Sequence, residues 1–429
     1  MCWGRAGMGN KPARLDTAVQ APDMDSTLSP SLSTEPIEMS PQVSSVVENF
    51  ANSGIVHLDD LEDVFNGDLA LILKDFVKSH SSVALSTECD DVSVSTFARG
   101  VNRLFGTALD PYLQMFSSDG HKFRKEDLRR MFEQCARAAQ IPLVSRDDKI
   151  LQRLISSAMR DGEIVDILKV LDWVQLHCPR ILEPFKRQVQ FGLAERQISP
   201  VPSSVPQSHL LTSFQMWLVS CSVPLFCLPR YNAESCSSAV SWDLLYSTDR
   251  DGLSCNRFES KVCSYPSPTV MIVVLLDDDG AFVAAVDQEW RERTERWGGP
   301  GCLVLQLAPR FKLADEGANL FYYQMKRRTL PSGLHIGSNP KLPVLKIEPD
   351  FSNVAAMEVW GCGTPEDLSA QRSHKRWERK QAEKNQKVPL PGNWNENPDK
   401  QLLELAGVRD SFAAGSGVIY LSPDDSEHT

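Results

Sequence analysis

Residues 269–286 constrain this chain more than any other stretch. Thr269 to Leu276 reads T-V-M-I-V-V-L-L, Asp277-Asp278-Asp279-Gly280 follows, and Ala281 to Val286 reads A-F-V-A-A-V. Apolar and β-branched residues at strand length, without polar interruption, describe a buried strand. An Asp-Gly between two such runs is a hairpin signal. The three acids before the glycine read as a solvated turn rather than a cation site. Further short apolar runs lie at Trp242 to Tyr246, Cys302 to Leu307, Leu320 to Tyr323, Val344 to Ile347 and Met357 to Trp360. Turn residues, not regular helices, separate them, which predicts an antiparallel sandwich. Leu210 to Leu218 reads as one helix packed onto it.

The first half has a different period. Leu69, Leu73 and Phe76 recur at helical spacing, as do Leu151, Leu154, Ile155 and Ala158, and then Ile164, Ile167, Leu168, Leu171 and Val174. Ser53 to Phe65 and Ser117 to Leu128 resemble EF-hand halves, and V-S-V-S-T-F-A-R-G-V resembles a loop strand entering a helix. A calcium loop needs oxygen ligands at its first, third and fifth positions, glycine at the sixth and glutamate at the twelfth. Placing Gly120 sixth puts Met115 first, Ser117 third, Asp119 fifth and Glu126 twelfth. A thioether is no ligand for a hard cation, so the loop reads as calcium-free and structural.

Polar, Ser/Pro-rich stretches divide the chain. Residues 1–42 read as a disordered tail, 43–198 as the helical, degenerate EF-hand-like module, and 199–208 (S-P-V-P-S-S-V-P-Q-S) as a linker. The strand-rich domain covers 209–363, basic and C-terminal helices 364–410, and a disordered tail 411–429. The fold class is therefore α+β.

Charge and cysteine usage exclude several functions. The net charge of −11 argues against a nucleic-acid binder working through a global basic face. No apolar run approaches the roughly 18 residues of a membrane-spanning helix, and no apolar segment behind Arg5 and Lys11 makes a secretory signal. The 11 cysteines include no C-x-x-C pair and read as reduced, buried and not metal-binding. No nucleophile elbow, phosphate loop or zinc-protease helix is present, so no catalytic residue, metal ligand or cofactor is assigned. One segment runs against the global charge. Thr364-Pro365-Glu366-Asp367 opens a helix. From Gln371 to Lys387 that helix holds seven Lys/Arg against two Glu. Its thin apolar stripe, Leu368 and Trp377, leaves a basic face for an acidic protein or membrane surface. A second helix spans Asn397 to Gly407.

S-W-D-L-L-Y-S-T-D-R-D-G-L-S-C-N-R-F from Ser241 is similar to the opening signature of TLDc domains. So, in the family's order, are P-T-V-M-I-V-V-L from Pro268, W-G-G-P-G-C-L-V-L-Q-L-A-P from Trp297, L-P-S-G-L-H-I-G from Leu330, Asp350-Phe351, and M-E-V-W-G-C-G from Met357. The layout resembles the lysosomal, mTOR-associated eak-type members, with EF-hand-like helices before the domain. The resemblance implies a two-sheet sandwich with flanking helices and no catalytic residues. It also implies binding to the vacuolar-type proton pump, links to mTOR-pathway proteins, and a peripheral place at lysosomal or other endomembranes with a role in oxidative-stress resistance. The family has about 25 residues between its Asp-Phe and Glu-Val-Trp motifs; here only 352–357 intervene. A shortened sandwich is expected to expose an edge or a core face.

The partner-contact candidates are Asp249 and Arg250 in a polar turn, Glu358 and Trp360 on one strand face, and Arg372, Lys375, Arg376, Arg379 and Lys380 on the basic helix. For Asp249 and Arg250 a purely local ion pair is the competing reading, and Glu358 is either paired internally or exposed. Met8-Gly9-Asn10-Lys11 resembles the family's N-terminus; the myristoylation pattern asks for Ser or Thr at the sixth place, where Ala13 stands, so the match is imperfect and Gly9 is a lipidation candidate only if translation begins at Met8. One such chain gives only weak peripheral membrane association. The alternative function is a peroxide or redox activity through a cysteine, with Cys255, Cys263, Cys302 and Cys362 as candidates.

Overall fold

A computed structural model describes residues 39–80, 90–117, 119–160, 162–198, 205–228, 242–276, 280–325 and 329–386, together with Leu402 and Leu405. Gly9, the terminal tails, most of the 199–208 stretch and most of the helix expected at 397–407 lie outside these residues.

Capping side chains mark three helix starts in the first half, at Ser40, Ser93 and Asp166. α1 (Pro41–Phe50) follows Ser40, whose hydroxyl accepts the Val43 amide. β1 (Ala51–Asn52), β2 (Ile55–His57), α2 (Gly67–Lys78) and β3 (Asp91–Ser93) come next. Ser93 then caps α3 (Val94–Leu104) through the Thr96 amide. β2 pairs antiparallel with β3, so two helix–loop–helix units meet through their loops. The pattern repeats with α4 (Asp110–Gln114), β4 (Lys122–Phe123), α5 (Lys125–Ala138), α6 (Asp148–Met159), β5 (Val165–Asp166) and α7 (Ile167–His177). Here Lys122 pairs with Asp166 and Phe123 with Val165. α8 (Glu183–Glu195) packs against α1 and α5.

The second half contains α9 (Ser213–Ser222), β6 (Asp243–Ser247), α10 (Thr248–Asp251), α11 (Cys255–Val262), β7 (Thr269–Leu275), β8 (Ala281–Val286), β9 (Leu303–Ala308) and β10 (Lys312–Glu316). β11 (Phe321–Gln324), β12 (Gly333–Ile336), β13 (Leu345–Ile347), β14 (Val354–Gly361) and α12 (Pro365–Gln386) complete it. One sheet has the order β10-β9-β8-β7-β14-β6 and the other β11-β12-β13, all antiparallel. The β7–β8 hairpin is the one read from residues 269–286. α9 begins at a capping box of Thr212 and Gln215, three residues after the expected start. β10 and β12 were not among the expected strands: the first is polar and the second opens on glycine.

The continuous apolar character of β7 and β8 has a direct cause. Their sheet is covered on both faces. Met271, Val273, Ala284 and Val286 pack with the small sheet and α11, around Trp290, Trp297 and Tyr323. Val270, Ile272, Val283, Ala285, Leu303 and Leu305 face the other way, into a core continuous with the helical module and α9. The helices and the sandwich therefore share a core.

The short connection at 352–357 leaves β13 as an edge strand of the small sheet, while Ile347 and Phe351 stay buried, so no core face opens there. Residues 348–353 carry the chain from the outer strand of the small sheet to β14, the strand next to the outer β6 in the large one. Phe351 is fully buried there with φ of 60°. Asn353 donates its side-chain amide to the Lys346 carbonyl and accepts the Glu348 amide, capping the β13 edge. Its own carbonyl accepts the Leu276 amide.

Candidate interaction surface

α12 starts from a firm root. Asp367 accepts both the amide and the hydroxyl of Thr364. The Gln371 amide donates to the Lys261 and Cys263 carbonyls at 2.9 and 3.3 Å, and the Lys375 ammonium donates to the Ser260 carbonyl. These carbonyls sit at the C-terminal end of α11, where helix geometry leaves acceptors unpaired and cations are favoured. Burial holds the Lys375 amine below its ordinary pKa. Lys375 is thus a structural anchor rather than a residue left for a partner.

Beyond that root the helix projects. Arg372, Arg376, Arg379, Lys380 and Lys384 are exposed and have no acidic partner among the described residues. Trp377 is 57% exposed between them. The arrangement is a cationic rod with one aromatic, held at one end through Gln371 and Lys375.

Two of the other contact candidates, Glu358 and Trp360, turn inward. Glu358 has 0% exposure and Trp360 3%, so neither offers a surface to a partner. Glu358 accepts the Ser208 hydroxyl at 2.7 Å, the His209 amide at 2.8 Å and the Trp360 indole N–H at 3.1 Å. Four residues on, the Thr212 hydroxyl donates to Asp147, another fully buried carboxylate, which also accepts the Val144 amide. Residues 205–212 are therefore pinned to the sandwich at one end and the helical module at the other. Internal pairing wins for Glu358 because these donors offset its desolvation.

Arg250 donates to the Leu244 and Leu245 carbonyls of β6 and to Asp251. It closes the outer strand of the large sheet, as a local ion pair requires. Asp251 sits below its ordinary pKa: burial works against its charge, but Arg250, the Ser247 amide and Lys261 outweigh it. Asp249 is exposed beside it.

Met115, at the first calcium position, is 6% exposed and packed in the core. Asp119 accepts the amides of His121 and Lys122 and the Ser117 hydroxyl, and the two amides hold its carboxyl below the usual range. Among the described residues no group of three His, Cys, Asp or Glu is placed to hold a metal ion, and no helix is long and apolar enough to cross a membrane. Nor does the cysteine candidate Cys302 present a thiolate. Burial pushes it up to about 12, and its thiol donates to Asp287 at 3.1 Å. Cys362 is buried, while Cys255 and Cys263 are half-buried near Tyr323.

Comparison with known proteins agrees with this architecture. The chain is 36% identical to a Restriction of telomere capping protein 5 of Colletotrichum graminicola, over 41% of each chain. The proteins of the same name from Neurospora crassa and Komagataella phaffii are 22% and 21% identical. They cover 41% and 64% of this chain and 43% and 59% of their own. The matches thus span about two fifths to three fifths of those three relatives. A domain model matches the stretch that holds both sheets: residues 207–359 are similar to the TLDc domain.

Proposed function

We propose that this is a non-enzymatic interaction protein in which the TLDc-like sandwich and its helical brace present α12 to an acidic partner. The observation that carries this reading is the set of five exposed cations from Arg372 to Lys384 that form no ion pair among the described residues, on a helix anchored through its first three turns. A protein that needed this helix for its own core would bury an apolar stripe; this one leaves even Trp377 outside.

The partner proposed is the peripheral part of the vacuolar-type proton pump, at lysosomal or other endomembranes, with effects on pump assembly, mTOR-type signalling and stress resistance. The motif series from Trp242 to Trp360 and the eak-type layout support it. The fungal relatives' name concerns telomere capping in those proteins and is not carried over. Co-sedimentation of the full chain with the purified peripheral sector tests the reading. Saturable binding that weakens as salt rises is expected. No binding at low salt would overturn it.

A further inference from the structure

The outer strands of the two sheets each meet a side chain or a neighbouring segment. At β6, Arg250 donates to the Leu244 and Leu245 carbonyls, and at β10, His177 accepts the Leu313 amide. At β11 the backbone does this work, since Trp297 pairs with Phe321 and the Tyr323 carbonyl accepts the Arg293 amide. β13 depends on one side chain. Asn353 donates to the Lys346 carbonyl at 2.8 Å and accepts the Glu348 amide at 3.0 Å. Backbone groups two residues apart on a strand point the same way, and these two point away from β12. Left open, such groups are a template for another strand.

The strand behind this plug is self-complementary. Leu345 and Ile347 are buried. Lys346 and Glu348 share the opposite face, Lys346 exposed and Glu348 half-buried, with their charges 2.8 Å apart. Antiparallel pairing of two copies about a two-fold axis at Ile347 sets Lys346 of each opposite Glu348 of the other. Their outward amides and carbonyls then face one another, the arrangement in which an antiparallel pair exchanges both hydrogen bonds. Opposite charges directly across the strands add to it. Moving the axis to Lys346 sets lysine against lysine instead. We propose that the β13 edge is a latent pairing site for a second copy of this chain, held shut by Asn353. The short 352–357 connection supplies the plug: Asn353 stands directly before β14, and its carbonyl accepts the Leu276 amide, which ties it to the large sheet. Loss of the plug joins two three-stranded sheets into one.

The test is sedimentation velocity of the full chain over a concentration series, with the melting temperature of each variant recorded. Asn353→Ala is expected to self-associate roughly tenfold more tightly than wild type, or more. Adding Lys346→Glu sets glutamate opposite glutamate and is expected to abolish that gain. Adding Glu348→Lys as well restores opposite charges and is expected to bring it back. Asn353→Asp keeps the bond from the Glu348 amide and loses only the one to the Lys346 carbonyl. It is expected to associate more than wild type and less than Asn353→Ala, and it carries the same charge series if Asn353→Ala does not fold. The proposal is overturned if the Asn353 variants associate no more than wild type, if Lys346→Glu leaves their association unchanged, or if the swapped pair does not restore it.

Discussion

Glu358 is a charge in the middle of a central strand, and its surroundings decide what it does. Three donors converge on it and no water-facing surface is left. Glu358→Ala strands those donors and is expected to cost about 3 kcal/mol of unfolding free energy. Glu358→Gln keeps an acceptor and is expected to cost less. Urea denaturation of both variants checks the order; equal stability of Glu358→Ala and wild type would contradict the assignment. His177 makes a second residue-scale case. Its Nδ1 accepts the Leu313 amide of β10 at 3.0 Å, which only an unprotonated nitrogen can do. Burial, with Arg160 adding, lowers its pKa from 6.5 to about 4. The unfolded chain therefore takes up this proton first as pH falls. Stability from this group is full above pH 6.5, declines towards pH 4 and levels off below. His177→Asn is expected to flatten part of that decline in melting temperatures across the range. His80, also lowered by burial, contributes in the same direction.

At the scale of elements, legibility in the sequence followed local pattern. The β7–β8 hairpin was readable because an unbroken apolar run has few alternatives, and α12 because Thr364, Pro365 and Asp367 spell a helix start. β10 was not, since K-L-A-D-E carries no strand pattern; its place comes from β9 beside it. Nor could spacing separate Lys375 from Arg376. Both are cations on one helix, and only the exposed carbonyls of α11, more than a hundred residues earlier, make the first an anchor and leave the second free. Two of the three donors to Glu358, His209 and Ser208, are equally distant in sequence, 149 and 150 residues away. Removing the anchors is expected to loosen α12 while leaving the sandwich intact. Gln371→Ala with Lys375→Ala should raise amide exchange in 365–384 without changing exchange in β7 and β14. Unchanged exchange in the helix would contradict the root described here.

At the scale of the whole molecule, the stretch from 199 to 208 reads as a spacer, yet its last residue, Ser208, bonds to Glu358 in the sandwich and Thr212 just beyond it bonds to Asp147 in the helical module. The outer face of the large sheet is buried by the helical module, so the two halves stabilise one another. The full chain is expected to unfold in one calorimetric transition, and residues 205–386 expressed alone to aggregate through Val270, Ile272, Val283 and Leu305. Two separated transitions, or a soluble isolated sandwich, would contradict this. In the proposed function, the charged helix α12 is what this joined body offers to a partner. The most direct measurement is therefore capture of the pump from cells by the full chain and by a variant carrying Arg376→Glu, Arg379→Glu and Lys380→Glu. The account predicts enrichment of peripheral pump subunits with the wild-type chain and their loss with the variant at an unchanged melting temperature. Equal capture by both, or none by the wild type, would contradict it.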